Sequence, residues 1–204
     1  MGNVSGHEVS GRLSQRFIRR ESRSAGLLKN PGRTMRTIPE DVATIDLRSL
    51  NLAGPPAPGS RLAGIHLDGL SLTNADLITT RFDRCSLVAA DLSGSDLSGS
   101  EFVSCAAQSA HLTKATLIDA LIVGTDFSGA SFAGANLHGA VIVGGSMARA
   151  NLVGADLRDA VVSNLDLRGA NLAYAQLAGT RGDFLYDSGT IWPDGFRPLA
   201  PEPN

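Results

Sequence analysis

The amino-acid sequence predicts a solenoid whose structural unit is five residues long, and the first observation behind this is its composition. Of the 204 residues, 43% are hydrophobic but only 5% are aromatic. The apolar fraction is dominated by 26 Leu and 26 Ala, and 23 Gly accompany them. A chain of this length normally fills its core with large aromatic and branched side chains. Small and medium side chains can fill a core when the same short structural unit is stacked repeatedly, so we expect an internal repeat.

The second observation is a strict five-residue period. Every fifth position from Leu47 to Leu177 gives 27 sites, and all 27 are apolar, with 17 Leu and four Phe among them. A period of five matches neither the 3.6 residues of an α-helical turn nor the two-residue alternation of a β-strand. It favours a solenoid in which each unit forms one short side and one turn.

Two other positions of the unit hold small residues. Alanine recurs two residues before the central apolar residue, and glycine recurs two residues after it. The alanines are Ala75, Ala90, Ala110, Ala115, Ala130, Ala135, Ala150, Ala155 and Ala170, and the glycines are Gly94, Gly99, Gly129, Gly134, Gly139, Gly154 and Gly169. We therefore expect one large and one small side chain per unit to face the interior.

The units at 91–94 (Asp-Leu-Ser-Gly) and 136–139 (Asn-Leu-His-Gly) resemble the A(D/N)LXX motif of the pentapeptide-repeat family. The resemblance extends over residues 45–180. It implies an all-β fold, namely a right-handed quadrilateral parallel β-helix with four units per coil. The 27 units then make about 6–7 coils and a rod roughly 30 Å long at the usual strand spacing.

Four units per coil place residues twenty apart above one another. Cys85 and Cys105 become inward-facing neighbours, as do Phe82 and Phe102. The thiol pair is compatible with a redox switch, but straight stacking aims the two Cβ vectors in parallel. We interpret the two cysteines as inert buried residues.

The N-terminal segment, residues 1–44, lies outside the repeat and carries eight Lys/Arg against four Asp/Glu. Its polar, Gly- and Ser-containing sequence predicts a flexible arm, which we interpret as a solvated tail. Contact with nucleic acid or with an acidic partner is the alternative. Met35 is a second candidate start of translation.

The first units depart from the pattern in a way that predicts a cap. Leu50, Ile65 and Leu70 replace the small inward residue, and larger side chains there close an exposed core end. The prolines that interrupt one side are Pro55, Pro56 and Pro58.

The C-terminal segment, residues 181–204, concentrates aromatic side chains beyond the last unit. We predict a cap over the last coil, formed by Phe184, Tyr186, Trp192 and Phe196. A ligand-binding aromatic site is the alternative.

Several functional classes are disfavoured by the sequence. A formal net charge of −2 with 19% charged residues fits neither a strongly basic nucleic-acid binder nor an acidic disordered chain. No stretch approaches the roughly 18 consecutive apolar residues of a membrane-spanning helix. Two cysteines make neither a disulfide framework nor a four-ligand zinc site. We expect a cytoplasmic protein with no membrane span, no metal and no cofactor.

Catalytic constellations are also missing from the sequence. His66, His111 and His138 fall on three different sides of the inferred coil, and no CxxC, GxSxG or phosphate-loop motif occurs. A rod filled with Leu and Ala leaves no ligand-sized cavity. We therefore predict a chain that is not an enzyme and has no small-molecule substrate.

One side of the inferred coil has an apolar exterior over consecutive coils. Its outward residues are Val103, Leu121, Val123, Val141, Val143 and Val161. An apolar stripe of this kind is typical of an interface. The interpretations left open are cover by the chain's own arm or tail, a homodimer seam, and a docking site for another protein.

An acidic partner surface is the second candidate, and it consists of Asp76, Asp91, Asp96 and Asp156. Relatives that protect type II topoisomerases imitate the charge of duplex DNA, so the resemblance implies DNA gyrase as the most specific partner and a link to antibiotic resistance. Residues 45–180 carry twelve Asp/Glu and eight Lys/Arg, which is a modest excess. Charge that only solubilises the rod is the alternative.

Overall fold

Short parallel strands recur every twenty residues in the computed structural model, which describes residues 55–196 and 198. They are β1 (Arg61–Ala63), β2 (Arg81–Asp83), β3 (Glu101–Val103), β4 (Leu121–Val123), β5 (Val141–Val143), β6 (Val161–Asp166) and β7 (Arg181–Leu185). They form one parallel sheet in chain order. This sheet is called the strand side below.

Three further sides complete each coil, and they are held by isolated parallel bridges. Examples are Ser86 with Ala106, Asp91 with His111 and Asp96 with Thr116, and the partners are again twenty residues apart. These are called the bridge sides. The predicted β-solenoid with four five-residue units per coil is confirmed, and about six coils separate β1 from β7. No helix occurs within residues 55–196, so this part holds none that crosses a membrane.

The interior is filled by the two inward positions that the period predicts. The middle residue of each three-residue strand is buried, and so are the alanines two residues before a central residue. Phe82 and Phe102 stack with ring centroids 4.7 Å apart and an interplanar angle of 9°. Phe127 packs edge-on against Phe102 at 5.6 Å and against Phe132 at 5.1 Å. Aromatic contacts of this kind add to the free energy gained by burial.

Glycine recurs two residues after the central position because the chain turns a corner of the coil there. That residue adopts a positive φ throughout the regular coils, including twelve non-glycine residues with φ between 51° and 62°. Glycine reaches this left-handed region without steric cost. At Gly139, with φ 69°, a Cβ would also meet the Asp119 carboxylate of the preceding coil. The glycines therefore reflect both backbone conformation and close stacking of corners.

The parallel ladder continues past residue 180, where the uninterrupted five-residue pattern ends. Its register slips by one residue, because Leu165 pairs with Phe184, and it is restored where Asn171 bridges Ile191. Trp192 consequently follows Leu172 by twenty residues and packs against the core. At the other end Ile65 is buried and Leu70 packs on the core. The predicted arm at 1–44 and Leu50 lie outside the described residues.

Candidate protein-interaction surface

The strand side presents two columns of outward side chains, because the residues that flank each buried central residue point away from the core. The first column consists of Arg61, Arg81, Glu101, Leu121, Val141, Val161 and Arg181. The second consists of Ala63, Asp83, Val103, Val123, Val143 and Ser163. Asp183 lies in β7 beside the register irregularity that follows Val162.

The structure brings all six predicted apolar residues together on this side. We call them the valine face: Val103, Leu121, Val123, Val141, Val143 and Val161. Val143 and Val161 are 43% and 46% exposed, and the other four are half-buried by their neighbours. Val103, Val123 and Val143 stack in one column, while Leu121, Val141 and Val161 stack in the other.

The corners that follow β4 and β5, next to the valine face, are open. A Cβ at Gly144 would meet no atom within 4 Å, and one at Gly124 would approach only the Ser104 hydroxyl, at 3.8 Å. These two corners follow β4 and β5 directly. The described residues therefore leave open space beside these two corners.

Charged residues bound the valine face at both ends. On the β2 side, Arg81 forms an ion pair with Glu101, and its Nη2 lies 3.8 Å from the Asp83 carboxylate. On the β7 side, Arg181 and Asp183 are exposed, and the Asn164 N–H donates to Asp183 at 2.9 Å. An apolar centre with a charged rim is the usual composition of a protein interface.

The predicted acidic residues divide between two bridge sides. Asp76 bridges Asp96 in the next coil, and Asp156 lies further along the same column, next to Asn136. Asp91 belongs to the neighbouring side, between Ser71 and His111. The four carboxylates therefore do not form one continuous row.

Each of these carboxylates is also used by its own turn. Asp91, Asp96 and Asp156 accept the N–H of the residue two positions on, all at 3.0 Å, and Asp76 does so at 3.4 Å. Asn136 does the same for the N–H of His138 at 3.0 Å. This hydrogen bond satisfies an N–H at the turn, so the D/N of the motif is explained by local structure.

Two of these carboxyl groups have shifted pKa values. Hydrogen bonds from the Ser93 hydroxyl and N–H lower the pKa of Asp91 below its usual value. The hydrogen bond from Arg158, whose guanidinium lies 2.6 Å from Asp156, lowers the pKa of Asp156. Asp156 is therefore charged near neutral pH and is paired with an exposed positive charge.

The four predicted cap aromatics meet at the C-terminal end of the coil. Trp192 lies at the centre, with ring centroids 5.7 Å from Phe184, 5.6 Å from Tyr186 and 5.2 Å from Phe196. Phe184, Trp192 and Phe196 pack on the hydrophobic core. The buried Thr190 hydroxyl donates to the Leu167 carbonyl at 2.9 Å. The cluster is thus filled by its own side chains.

Cys85 and Cys105 are free and buried in successive coils. Their thiols donate to the carbonyls of Leu62 and Phe82, at 3.2 and 3.3 Å. The contact between the two thiols lowers the pKa of Cys85, whereas the same contact and burial raise the pKa of Cys105. Since the thiolate is the reactive species, the raised pKa favours an unreactive Cys105, and burial limits access to both thiols.

The histidines remain on separate sides, with His66 bridging Ser86 and His111 bridging Asp91. His138 Nδ1 lies 3.8 Å from the Asp159 carboxylate. Within residues 55–196, no three metal-binding side chains come together.

The sequence model of the family described as "Pentapeptide repeats" matches residues 59–105, 110–145 and 146–181, in eight copies. A comparison with curated proteins gives no match.

Solved structures similar to the chain are also repeat proteins. The pentapeptide repeat protein alr5209 from Nostoc PCC 7120 is 35% identical over 45% of this chain and 77% of that one, with a TM-score of 0.44. QnrB1, a plasmid-mediated fluoroquinolone resistance protein, is 20% identical over 62% of this chain and 76% of that one, with a TM-score of 0.44. HetL, involved in heterocyst differentiation regulation in the cyanobacterium Nostoc sp. strain PCC 7120, is 26% identical over 68% of this chain and 81% of that one, with a TM-score of 0.24.

Proposed function

The chain belongs to the pentapeptide repeat family, and from this premise we propose that it is a non-catalytic scaffold that binds protein through the valine face. The observation that carries the proposal is the run of six outward apolar side chains across β3 to β6. A solvated repeat surface has no need of such a run, whereas a binding surface gains free energy from burying it.

Burial of the valine face contributes part of the free energy that a specific contact needs. Complete burial of an exposed Val or Leu side chain contributes roughly 1.5–3 kcal/mol, and a half-exposed one about half as much. Six such residues offset part of the several kcal/mol that association costs in rigid-body freedom. The rigid coil adds to this, because no backbone has to be ordered on binding.

The test is affinity capture of interacting proteins by the full chain and by two double variants. In one, Val141→Asp and Val143→Asp place carboxylates in the centre of the valine face. In the control, Val88→Asp and Val153→Asp make the same change at outward positions of two bridge sides. We expect partners retained by the wild type and the control to be lost from the first variant. Equal capture by all three proteins would contradict the proposal.

A narrower hypothesis names DNA gyrase as the partner, contacted by carboxylates that imitate DNA phosphates. Its support is the stacking of Asp76 and Asp96 in consecutive coils, with Asp91 on the adjoining side. The turn hydrogen bonds of Asp91 and Asp96 make it the second candidate, since they explain these residues without a partner.

A gyrase supercoiling assay, with and without a quinolone, separates the two candidates. The narrower hypothesis requires inhibition or protection at micromolar protein, and this effect must weaken in the Asp76→Asn, Asp96→Asn variant. Absence of both effects in the wild type rejects gyrase and leaves the valine-face proposal intact.

A further inference from the structure

We infer that the partner on the valine face is a second copy of this chain, bound side by side with the two coil axes parallel. The inference rests on the proposed function, because it requires the valine face to bind protein. It goes beyond that function by naming the occupant and its orientation. The argument comes from the order of charged and apolar residues along the two outer columns of the strand side.

A two-fold axis parallel to the coil axis places each strand against the same strand of the second copy. It also reverses the strand direction, so the first column of one copy lies against the second column of the other. Leu121 then contacts Val123 of the second copy, and Val141 contacts Val143 of the second copy. Each contact occurs twice by symmetry.

The same operation pairs opposite charges at both ends of the valine face. Arg81 lies opposite Asp83 of the second copy in β2. Arg181 lies opposite the exposed segment of the second copy that contains Asp183, beside the register irregularity of β7. Arg181 makes no ion pair with any described residue, so its charge is available to a partner. Symmetry doubles both pairs, and complementary charges select an orientation and suppress the alternatives.

The antiparallel arrangement fits less well. In an antiparallel dimer the two-fold axis is perpendicular to the coil axis. If it passes between β4 and β5, Arg81 lies opposite Arg181 of the second copy. It also sets Asp83 against Asp183 of the second copy. Moving that axis to Val141 pairs Glu101 with Arg181 of the second copy, but it leaves Asp183 opposite an apolar Val103. The parallel arrangement also sets Glu101 opposite Val103 of the second copy, where Glu101 keeps its ion pair with Arg81. It nevertheless forms more unlike-charge pairs than either antiparallel arrangement.

The size of the surface predicts a reversible dimer. At the usual strand spacing, β2 to β7 extend about 24 Å along the coil axis, and a five-residue side about 16 Å wide gives roughly 400 Å² per copy. The total of about 800 Å² is below the size of a standard specific interface, so we expect a weak dimer that dissociates at tens of micromolar or above.

Sedimentation equilibrium of the full chain, from low micromolar to several hundred micromolar, tests the occupant. We expect a reversible monomer–dimer equilibrium for the wild type and for the Val88→Asp, Val153→Asp control. The Val141→Asp, Val143→Asp variant should dimerise about a hundredfold more weakly, because it buries unpaired carboxylates. Circular dichroism checks that both variants keep the wild-type fold.

A dimer that the Val141→Asp, Val143→Asp variant leaves unchanged would overturn the inference, and so would a wild type that stays monomeric. In the monomeric case, maleimide labelling of Val143→Cys identifies the alternative. Slow labelling indicates that the chain's own termini cover the valine face, and fast labelling indicates a surface open to a different protein.

Mixed cysteine variants test the orientation. In the parallel dimer, Val141→Cys and Val143→Cys proteins should form an oxidative cross-link only when they are mixed. The wild type is the control, because Cys85 and Cys105 are buried. Cross-linking of Val141→Cys alone, with no increase on mixing, would instead establish an antiparallel dimer and overturn the parallel one.

The two proposals fail in different ways. Loss of a captured partner from the Val141→Asp, Val143→Asp protein, together with a purified wild type that is monomeric, contradicts the dimer and leaves the scaffold function standing. If neither capture nor sedimentation responds to these substitutions, both are contradicted.

Discussion

The strand side and the bridge sides are built from the same five-residue unit, but they use their outward residues differently. On the bridge sides, the residue before the central position is often Asp or Asn, and its side chain accepts an N–H two residues on, as in Asp96 to Ser98. On the strand side, that residue is Leu121, Val141 or Val161 in β4 to β6 and Arg or Glu in the other strands, and its backbone is paired in the parallel ladder. Hydrogen bonds to backbone N–H groups therefore constrain many outward side chains on the bridge sides. They place no such constraint on Leu121, Val141 and Val161 on the strand side.

This difference decides which surface residues carry information about function. An Asp that a turn requires would be present whether or not a partner exists. A valine on the strand side meets no such requirement, because any residue compatible with a strand satisfies the backbone there. The valine face is therefore the better indicator of binding, although both surfaces were apparent in the sequence.

The largest effect is expected at the corner where the strand side ends. Gly145 has φ +80°, and a Cβ there would overlap the Thr125 backbone carbonyl of the preceding coil. We expect Gly145→Ala to lower the free energy of unfolding by about 3 kcal/mol or more, because both backbones must move. Urea denaturation followed by circular dichroism measures the change.

The adjacent glycine is a matched control for that substitution. Gly144 has φ +64°, but a Cβ there meets nothing within 4 Å. Gly144→Ala should cost only about 1–2 kcal/mol, the penalty of a left-handed alanine. Equal losses in the two variants would mean that conformation alone, and not contact between coils, defines this corner.

A smaller effect separates the two kinds of outward residue directly. Asp96 accepts hydrogen bonds from both the N–H and the hydroxyl of Ser98, at 3.0 and 2.6 Å. We expect Asp96→Ala to lower the free energy of unfolding by about 1 kcal/mol, and Asp96→Asn to restore most of it. Val143→Thr, on the strand side, should change stability by less than about 0.5 kcal/mol.

Thermal or urea unfolding at concentrations that keep the protein monomeric provides the measurement. If Val143→Thr were as destabilising as Asp96→Ala, the strand-side residues would also be structural. The distinction between constrained and free surfaces would then be lost.

The fold followed from the sequence because the period is local and strict. Each five-residue unit repeats the same inward pair, and the resemblance to the pentapeptide-repeat family supplied four units per coil. Stacking twenty residues apart could then be inferred, including the burial of Cys85 next to Cys105. The hydrogen bonds of the turn Asp and Asn residues could not be inferred, since they depend on where a backbone N–H points. The sequence showed a recurring D/N without its physical cause.

The last coil was harder to predict for a different reason. Leu165 pairs with a residue one position closer in the chain than the usual twenty, Phe184. This shift interrupts the five-residue pattern of the sequence, so the sequence alone indicated that the repeat ends before this segment. Trp192 nevertheless keeps the five-residue frame, twenty residues after Leu172, and this spacing was a usable signal. Bulky side chains can cover the end of a coil without following the five-residue period. The aromatic composition of the segment therefore predicted a cap but did not reveal that the segment continues the coil.

The smallest predicted effect concerns pH, and it tests whether the turn carboxylates act as structural acceptors. Hydrogen bonds from Ser93 lower the pKa of Asp91 in the folded chain below the ordinary value of 3.8. The folded state therefore binds this proton less readily than the unfolded state does. Its contribution to stability is fully present above the unfolded pKa and is lost as the pH falls through the folded pKa.

Urea midpoints measured at several values between about pH 5 and pH 2 should consequently fall with acidification, and the fall should be shallower in Asp91→Asn. The amide still accepts from the Ser93 N–H but does not titrate, which isolates the proton-linked part of the effect. Asp83→Asn, on the strand side, is the comparison. A slope that Asp91→Asn leaves unchanged would show that the carboxylate is no more stabilised in the fold than in the unfolded chain, and the bridge-side aspartates would then be as free for binding as the valines.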